Sequence, residues 1–222
     1  ARLPDLIDES WFLSEKDLQT WKKSNTHSSA KTVCVLPGFC DSFIKASRAK
    51  PISEGDLKFG FLGALDFLPN QLGVDWLLEK VVKGHDFPPN QKLWIVGRNP
   101  PERWQKQVAE SDFVQIDDFI EDLDVFWQSI GVMLVPDVTG TGVRIKLLEA
   151  IARCVPVITH SHVLSTLPTK VRQACGVLAS DNPVRWLDWI ANTDWRAERE
   201  KLKEKQLPKE VLALDTLEEL LR

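Results

Sequence analysis

The chain has 222 residues and a formal net charge of −4, with 43% hydrophobic and 27% charged residues. This is the composition of an ordinary globular protein, long enough for one large domain or a domain with appendages. The acidic balance excludes a broad nucleic-acid or anionic-membrane surface, since both need a net positive field. No apolar run reaches the roughly 18 residues that a membrane-spanning helix requires.

Strand-like and helical patterns alternate along the chain. The opening, "ARLPDLIDES", carries no signal peptide. "DESWFLS" reads as a strand, and Ser14 is placed to cap a helix over "EKDLQTWKK". "KTVCVLP" is a second strand, followed by a polar linker, "DSFIKASRAKPISEGD". From residue 57 the pattern is regular. The strands are "LKFGFLGAL", "QKLWIVG", "FVQID", "VMLVP", "VPVITH" and "CGVLAS". Between and after them come helices over "QLGVDWLLEKVV", "ERWQKQVAE", "DLDVFWQSI", residues 142–153 and "PVRWLDWIAN". The strands are continuous apolar runs, so both faces of the sheet should be covered. The fold class that follows is α/β, a doubly wound, mostly parallel, Rossmann-like sheet flanked by helices. The division expected is an end of a preceding domain plus linker over 1–56, the α/β domain over 57–192 and a helical tail over 193–222. The tail starts as a charge-rich helix that reads as solvated. It ends in an apolar stripe, Val211, Leu212, Leu214, Leu217, Leu220 and Leu221, suited to packing on the body or on a partner domain.

Cys34, Cys40, Cys154 and Cys175 form no CxxC pair and no metal spacing with the four histidines. They read as reduced thiols of a cytoplasmic protein, a setting that leaves peripheral membrane attachment open. No metal site is expected. His160 and His162 close a strand and face either the ligand crevice or a polar loop, whereas His27 and His85 read as surface residues.

Doubly wound sheets bind ligands beyond the carboxyl ends of their strands. There, after "VMLVP", the chain runs Asp137, Val138, Thr139, Gly140, Thr141, Gly142 into a helix. Glycines let backbone amides approach a ligand, and Thr141 is a candidate cap. The helix start offers unpaired N–H groups and partial positive charge, to which Arg144 and Lys146 add full charges. Together these suit phosphate or diphosphate, with a solvated basic turn as the alternative. The stretch is neither a Walker loop nor a dinucleotide fingerprint, which would need glycine at position 145. Glu149 either pairs with Lys146 three residues earlier or accepts from a sugar hydroxyl.

"GTGVRIKLLEAIARCVPVITH" resembles the signature helix and strand of retaining glycosyltransferases of family 4, on the GT-B fold. "FGFLGALDFLPNQLGVDWLLEKV" is similar to the first strand, loop and helix of that family's donor domain, in the branch carrying "DWLPN". "LWIVGRNPP" and "VQIDDFIEDLDVFWQSIGVMLVP" resemble the stretches that follow, so the match runs in one order over residues 57–192.

The resemblance implies one half of a GT-B architecture: a nucleotide-sugar-binding domain of an enzyme moving a sugar from an NDP-sugar to an acceptor with retention. It implies no cofactor and no metal. The acceptor, a glycan or lipid-linked glycan, would be held by a preceding domain that this chain lacks, leaving the donor half inactive alone. Position by position, it places the donor diphosphate at Gly63, Ala64, Thr141, Gly142 and Val143, with Arg144 and Lys146 offsetting its charge. It assigns Glu149 to the ribose or sugar, and Gly97, Arg98, Phe119 and Ile120 to the base. Asn70 either orders the first loop or is a plain turn residue. Many members carry an arginine, a lysine and a glutamate where this chain has Ala64, Leu72 and Thr141. Those departures favour the alternative of a non-catalytic nucleotide-binding or interaction domain. An unrelated doubly wound protein is disfavoured by the lack of GxGxxG and of an acidic cluster after the first strand.

Overall fold

The computed structural model describes residues 7–34, 57–109, 111–140 and 142–205. The first part is a small parallel pair, β1 (Glu9–Phe12) with β2 (Lys31–Cys34), joined by helix α1 (Glu15–Ser24). Ser14 caps α1, its hydroxyl accepting from the Asp17 amide at 3.0 Å. The linker after Cys34, Cys40 and the apolar stripe of the tail lie outside the described residues.

The main body is a six-stranded sheet built from β3 (Leu57–Leu62), β4 (Gln91–Val96), β5 (Val114–Asp117), β6 (Ile130–Val135), β7 (Val157–Thr159) and β8 (Val177–Ala179). Its spatial order is β5-β4-β3-β6-β7-β8, and all five pairings are parallel. Counted within the sheet this is 3-2-1-4-5-6, the Rossmann order, which reverses direction between β3 and β6. The connecting helices are α2 (Leu68–Leu77, continued by a wide π-type turn, Leu78–Val82), α3 (Glu102–Val108), α4 (Leu123–Ser129), α5 (Ile145–Ala152), α6 (Ser161–Leu164), α7 (Thr169–Ala174), α8 (Pro183–Asn192) and α9 (Trp195–Glu204). The pair α6 and α7 was not expected from sequence, because elements of four and six residues are too short to show a period.

Alternate residues of each strand enter opposite cores, which explains the continuous apolar runs. Phe59, Phe61, Leu93, Ile95, Val132 and Leu134 meet α2, α3 and α8 on one face. Trp94, Val96, Met133, Val135 and Val157 meet α4, α5 and α7 on the other. Tryptophans tie the layers together through their ring N–H groups. Trp104 donates to Asp75 at 2.6 Å, Trp94 to Asp117 at 2.6 Å and Trp186 to the Ser180 carbonyl at 2.8 Å.

Helix α9 corrects the expectation of a solvated tail. Trp195, Arg199 and Leu202, at spacings of four and three, are buried, and the remaining charges face outward. Arg199 donates from Nη1 to the Ile130 carbonyl at 2.9 Å, and Trp195 packs edge-on against Phe59. A long aliphatic stem lets an arginine enter an apolar interface, so a charge-rich sequence need not lie wholly in water.

Two strand ends press together where the loops after β3 and β4 leave the sheet. A Cβ at Gly97 would stand 1.7 Å from the Gly63 carbonyl oxygen, so only glycine fits. Gly97→Ala is expected to cost about 3 kcal/mol or more, as backbone must move to relieve the overlap. Gly142→Ala, where no atom lies within 4 Å of the added carbon, is the control. Urea unfolding midpoints measure both, and an unchanged midpoint for Gly97→Ala contradicts this packing.

Candidate functional site

The reversal between β3 and β6 opens a crevice at their carboxyl ends, because the loops after the two strands lead to opposite faces of the sheet. On the β3 side, Gly63 N–H donates to Val96 and Leu65 N–H to Arg98, at 3.1 and 3.0 Å. Asn70, in the first turn of α2, donates from Nδ2 to the Ala64 carbonyl at 2.8 Å. It therefore orders the first loop and is more than a turn residue. A Cβ at Gly63 would meet that Nδ2 at 2.8 Å.

On the β6 side the chain passes Pro136 and turns at Asp137. Helix α5 starts at Ile145 with Arg144 in the cap position, not at Gly142 as the sequence suggested, and Thr141 lies outside the described residues. The Arg144 backbone is extended, at ψ 112°, which places the helix start after it. Arg144 folds back over the turn, donating from Nη1 to the Gly142 carbonyl at 2.8 Å, from Nη2 to Thr139 and from Nε to Asp137. Lys146 Nζ stands 3.0 Å from Asp137 Oδ1 and donates to Asn70 Oδ1 at 3.0 Å. It also lies 4.4 Å over the Phe61 ring. Asn70 thus spans the crevice from the β3 loop to the cation of α5. Burial pulls the Lys146 ammonium below its ordinary range. Asp137 opposes that pull and Arg144 adds to it.

Asp137 is not marked by the sequence pattern as the partner of these cations. Its available signal was an acidic residue directly after a fully buried strand, within reach of Arg144 and Lys146. Gly142 and Val143 lie at the mouth of the crevice, half-buried, just before the helix start. The first amides of α5 have no acceptor within the helix and face its N-terminal end.

Glu149 does not pair with Lys146. The lysine turns to Asp137, and Glu149 instead accepts from Arg153 one turn on, at 3.2 Å. Arg153 is buried, lies over the Trp127 ring and also reaches Asp124 at 2.9 Å. Burial raises the Glu149 carboxyl above its ordinary value, and the arginine opposes the rise.

The loops after β4 and β5 form one rim. Gly97 N–H donates to the Asp117 carbonyl at 3.1 Å. Asn99, at positive φ, donates from its amide N–H to Asp118 and from its side chain to Asp66 on the β3 loop. That side-chain bond is the main cause of a lowered Asp66 carboxyl. Arg98 is exposed and lies 3.5 Å from Asp66. Phe119 is 74% exposed, whereas Ile120 packs inward on the core. Gly97, Arg98 and Phe119 therefore stand at one open edge, and the Ile120 side chain turns away from it.

Beyond β7, His160 is buried, neither open to the crevice nor in a polar loop. It lies between Trp76 and Trp186, with ring centroids 4.4 and 5.0–5.4 Å apart within this trio, and its Nδ1 is 3.3 Å from Asp181. Burial pushes the imidazole below its ordinary value; Asp181 opposes this, His162 adds to it and Asp137 opposes it weakly. Of the described cysteines, Cys154 and Cys175 are buried and Cys34 half-buried, none joined in a disulfide, and burial pushes the Cys175 thiol up to about 11. Among the described residues no helix is long and apolar enough to cross a membrane.

With this geometry in hand, comparison with known proteins gives a family and a set of structural relatives. The family model described as glycosyl transferases group 1 matches residues 56–192. None of the curated proteins matches the sequence at a significant level. The pneumococcal O-GlcNAc transferase GtfA, solved with UDP and GlcNAc, is similar at a TM-score of 0.66 and 17% identity, over 98% of this chain and 46% of that one. TarM is similar at 0.67 and 15%, over 98% and 43%. Sucrose-phosphate synthase from Thermosynechococcus elongatus is similar at 0.63 and 16%, over 96% and 58%. At such identities the likeness is one of fold, the Rossmann-like half of a GT-B architecture. The chain spans 43 to 58% of the length of these three relatives.

The His160 cluster has a pH signature. The unfolded chain takes up a proton near the ordinary histidine value of about 6.5, and the folded chain resists it. Stability is therefore full above that value and falls as pH drops from 7 to 5. The lowered Asp181 carboxyl adds a separate loss at still lower pH, where it protonates. Urea unfolding at pH 7 and pH 5 should show the decline, and His160→Gln should flatten it; equal slopes in both proteins would contradict the assignment.

Proposed function

The chain belongs to the glycosyl transferases of group 1, and from that premise we propose that it is the nucleotide-sugar-binding half of a transferase of family 4, in its "DWLPN" branch. It passes the sugar to a glycan or lipid-linked glycan with retention of configuration. The observation that carries this is the meeting of three groups across the β3–β6 reversal: the Gly63–Ala64 turn, the start of α5, and Lys146 held by Asn70. Transfer breaks the bond between the sugar's anomeric carbon and the diphosphate oxygen, so negative charge grows on the leaving group. Unpaired amides, the helix N-terminus and the cations Arg144 and Lys146 would stabilise that charge electrostatically, and this reading calls on no metal.

Gly63, Ala64, Thr141, Gly142 and Val143 would provide the backbone against the diphosphate. Glu149, held by Arg153 two turns into the helix, would accept from a ribose or sugar hydroxyl. Gly97, Arg98 and Phe119 would border the base, with the backbone of Ile120 beside them. The acceptor and the catalytic cleft would need a second domain. Residues 1–56 would be the end of that domain and its linker, and 193–222 a tail that returns toward it. The protein would work in the cytoplasm, at or near a membrane surface.

A second reading, a nucleotide-binding domain without catalysis, is favoured by one observation. No cation stands at Ala64 or Leu72, so the loop after β3 brings no positive charge to a diphosphate.

UDP is the first probe, with GDP and dTDP beside it, in calorimetric titrations of the wild type and Gly142→Asp. The position has open space for the added side chain, so the fold should survive while a carboxylate enters the diphosphate site. Selective binding of one nucleotide is expected, weakened at least about tenfold by the substitution, which is about 1.4 kcal/mol. Binding of none, or equal binding by both proteins, would sink the donor-site reading. Transfer activity with the companion domain added, or its absence despite binding, separates the two readings.

A further inference from the structure

We propose that Asp137 is a positioning residue for the donor diphosphate. Its buried carboxylate holds Arg144 folded over the carbonyls of Thr139 and Gly142 and keeps Lys146 aimed along the β3–β6 crevice. The inference rests on the donor-site reading and adds a residue that touches the cations rather than the substrate.

Three observations carry it. First, Asp137 is only 2% exposed, and its two oxygens are divided between the cations: Oδ2 accepts from Arg144 Nε, and Oδ1 lies 3.0 Å from Lys146 Nζ. A carboxylate so placed fixes two side chains from one point. Second, its location is fixed by the fold rather than by the cations. It follows Pro136 at the end of a fully buried strand, and Gly73 of α2 packs so closely there that a Cβ would meet the Pro136 carbonyl at 2.7 Å. Third, among the described residues the other surroundings of Lys146 supply no negative charge. From β3 comes the Phe61 ring, from α2 the neutral Asn70 amide, and from its own segment the like charge of Arg144. At the end of β7, His160 is neutral at physiological pH because burial lowers it. An ammonium this deeply set loses its proton readily once its counter-charge is gone.

This arrangement answers why the two cations leave a diphosphate room to bind. Arg144 is already committed to the turn. Lys146 keeps one direction set by Asn70, so the site is ordered before the ligand arrives.

The experiment is titration with UDP at pH 6.5, 7.5 and 8.5, comparing wild type with Asp137→Asn. The ratio of the two dissociation constants cancels the ionisation of UDP itself. The ratio should grow at least about tenfold from pH 6.5 to 8.5, as Lys146 sheds its proton in the variant. The double variant Asp137→Asn with Lys146→Arg should abolish that slope, because arginine stays charged. Thermal melting followed by circular dichroism checks the fold. If Asp137→Asn does not fold, Asp137→Glu keeps the charge but displaces it, and should weaken UDP binding without a pH slope. A ratio independent of pH, tighter UDP binding by Asp137→Asn throughout, or unchanged affinity in Asp137→Glu overturns the proposal while the donor site stands. A wild type that binds no UDP, GDP or dTDP overturns the donor-site reading and this inference with it.

Discussion

A buried carboxylate must be neutralised where it stands, and at Asp137 this requirement organises the end of the sheet. Water cannot solvate a side chain at 3% exposure, so its charge has to be met by the protein. Arg144 and Lys146 meet it, which brings the first turn of α5 down onto the loop after β6. Lys146 in turn draws in Asn70, and Asn70 draws in the carbonyl of Ala64 across the reversal point. Two stretches distant in sequence, 64–70 and 137–146, are thus tied through a short run of ion pairs and hydrogen bonds. Where a chain could have left two flexible loops, it has a fixed rim.

The rim needs a stiff base, and the two cores supply it. Each central strand sends alternate side chains into opposite layers, so neither face can slide without disturbing both. The close approach of Gly97 to Gly63 sets the loop after β4 directly against the loop after β3. Asn99 continues that contact outward to Asp66 and Asp118. The open edge around Arg98 and Phe119 and the buried cations near Asp137 are therefore parts of one connected ring of loops.

Much of this was legible in the sequence because it depends on patterns that repeat. Six apolar runs, the first five separated by helical periods, identify a doubly wound sheet whatever their tertiary partners, and "GTGVRIKLLEA" marks the loop where a ligand belongs. What was not legible depends on distance in space. Nothing local tells that Lys146 chooses Asp137 and Asn70 over Glu149, since a three-residue spacing favours the local pair until burial of Asp137 outbids it. The helix starts at Ile145 rather than Gly142 because the Arg144 backbone is extended, at ψ 112°, while its side chain bonds the carbonyls of Thr139 and Gly142. Helix α9 misled in the other direction, its buried Arg199 hidden among eight charged residues in "WRAEREKLKEK". His160 read as a residue at a strand end, and only the fold brings Trp76 and Trp186 around it.

The distribution of charge around the crevice follows from these ties. The β3 side offers Gly63, Ala64 and Leu72, which bring backbone and apolar surface but no cation. The buried positive charge, that of Arg144 and Lys146, lies on the β6 side, and Asp137 cancels one unit of it, while Arg98 at the outer rim is met by Asp66. The local balance is one net positive charge plus the partial charge of a helix start, less than a diphosphate carries. A site this lightly charged gains little from long-range attraction, and what it offers is order: amides, one aimed ammonium and a guanidinium already folded into place. Electrostatic stabilisation of a leaving group depends on donors that need no rearrangement as charge develops. On that principle the carboxylate that weakens the field of the site is also what lets the remaining field act.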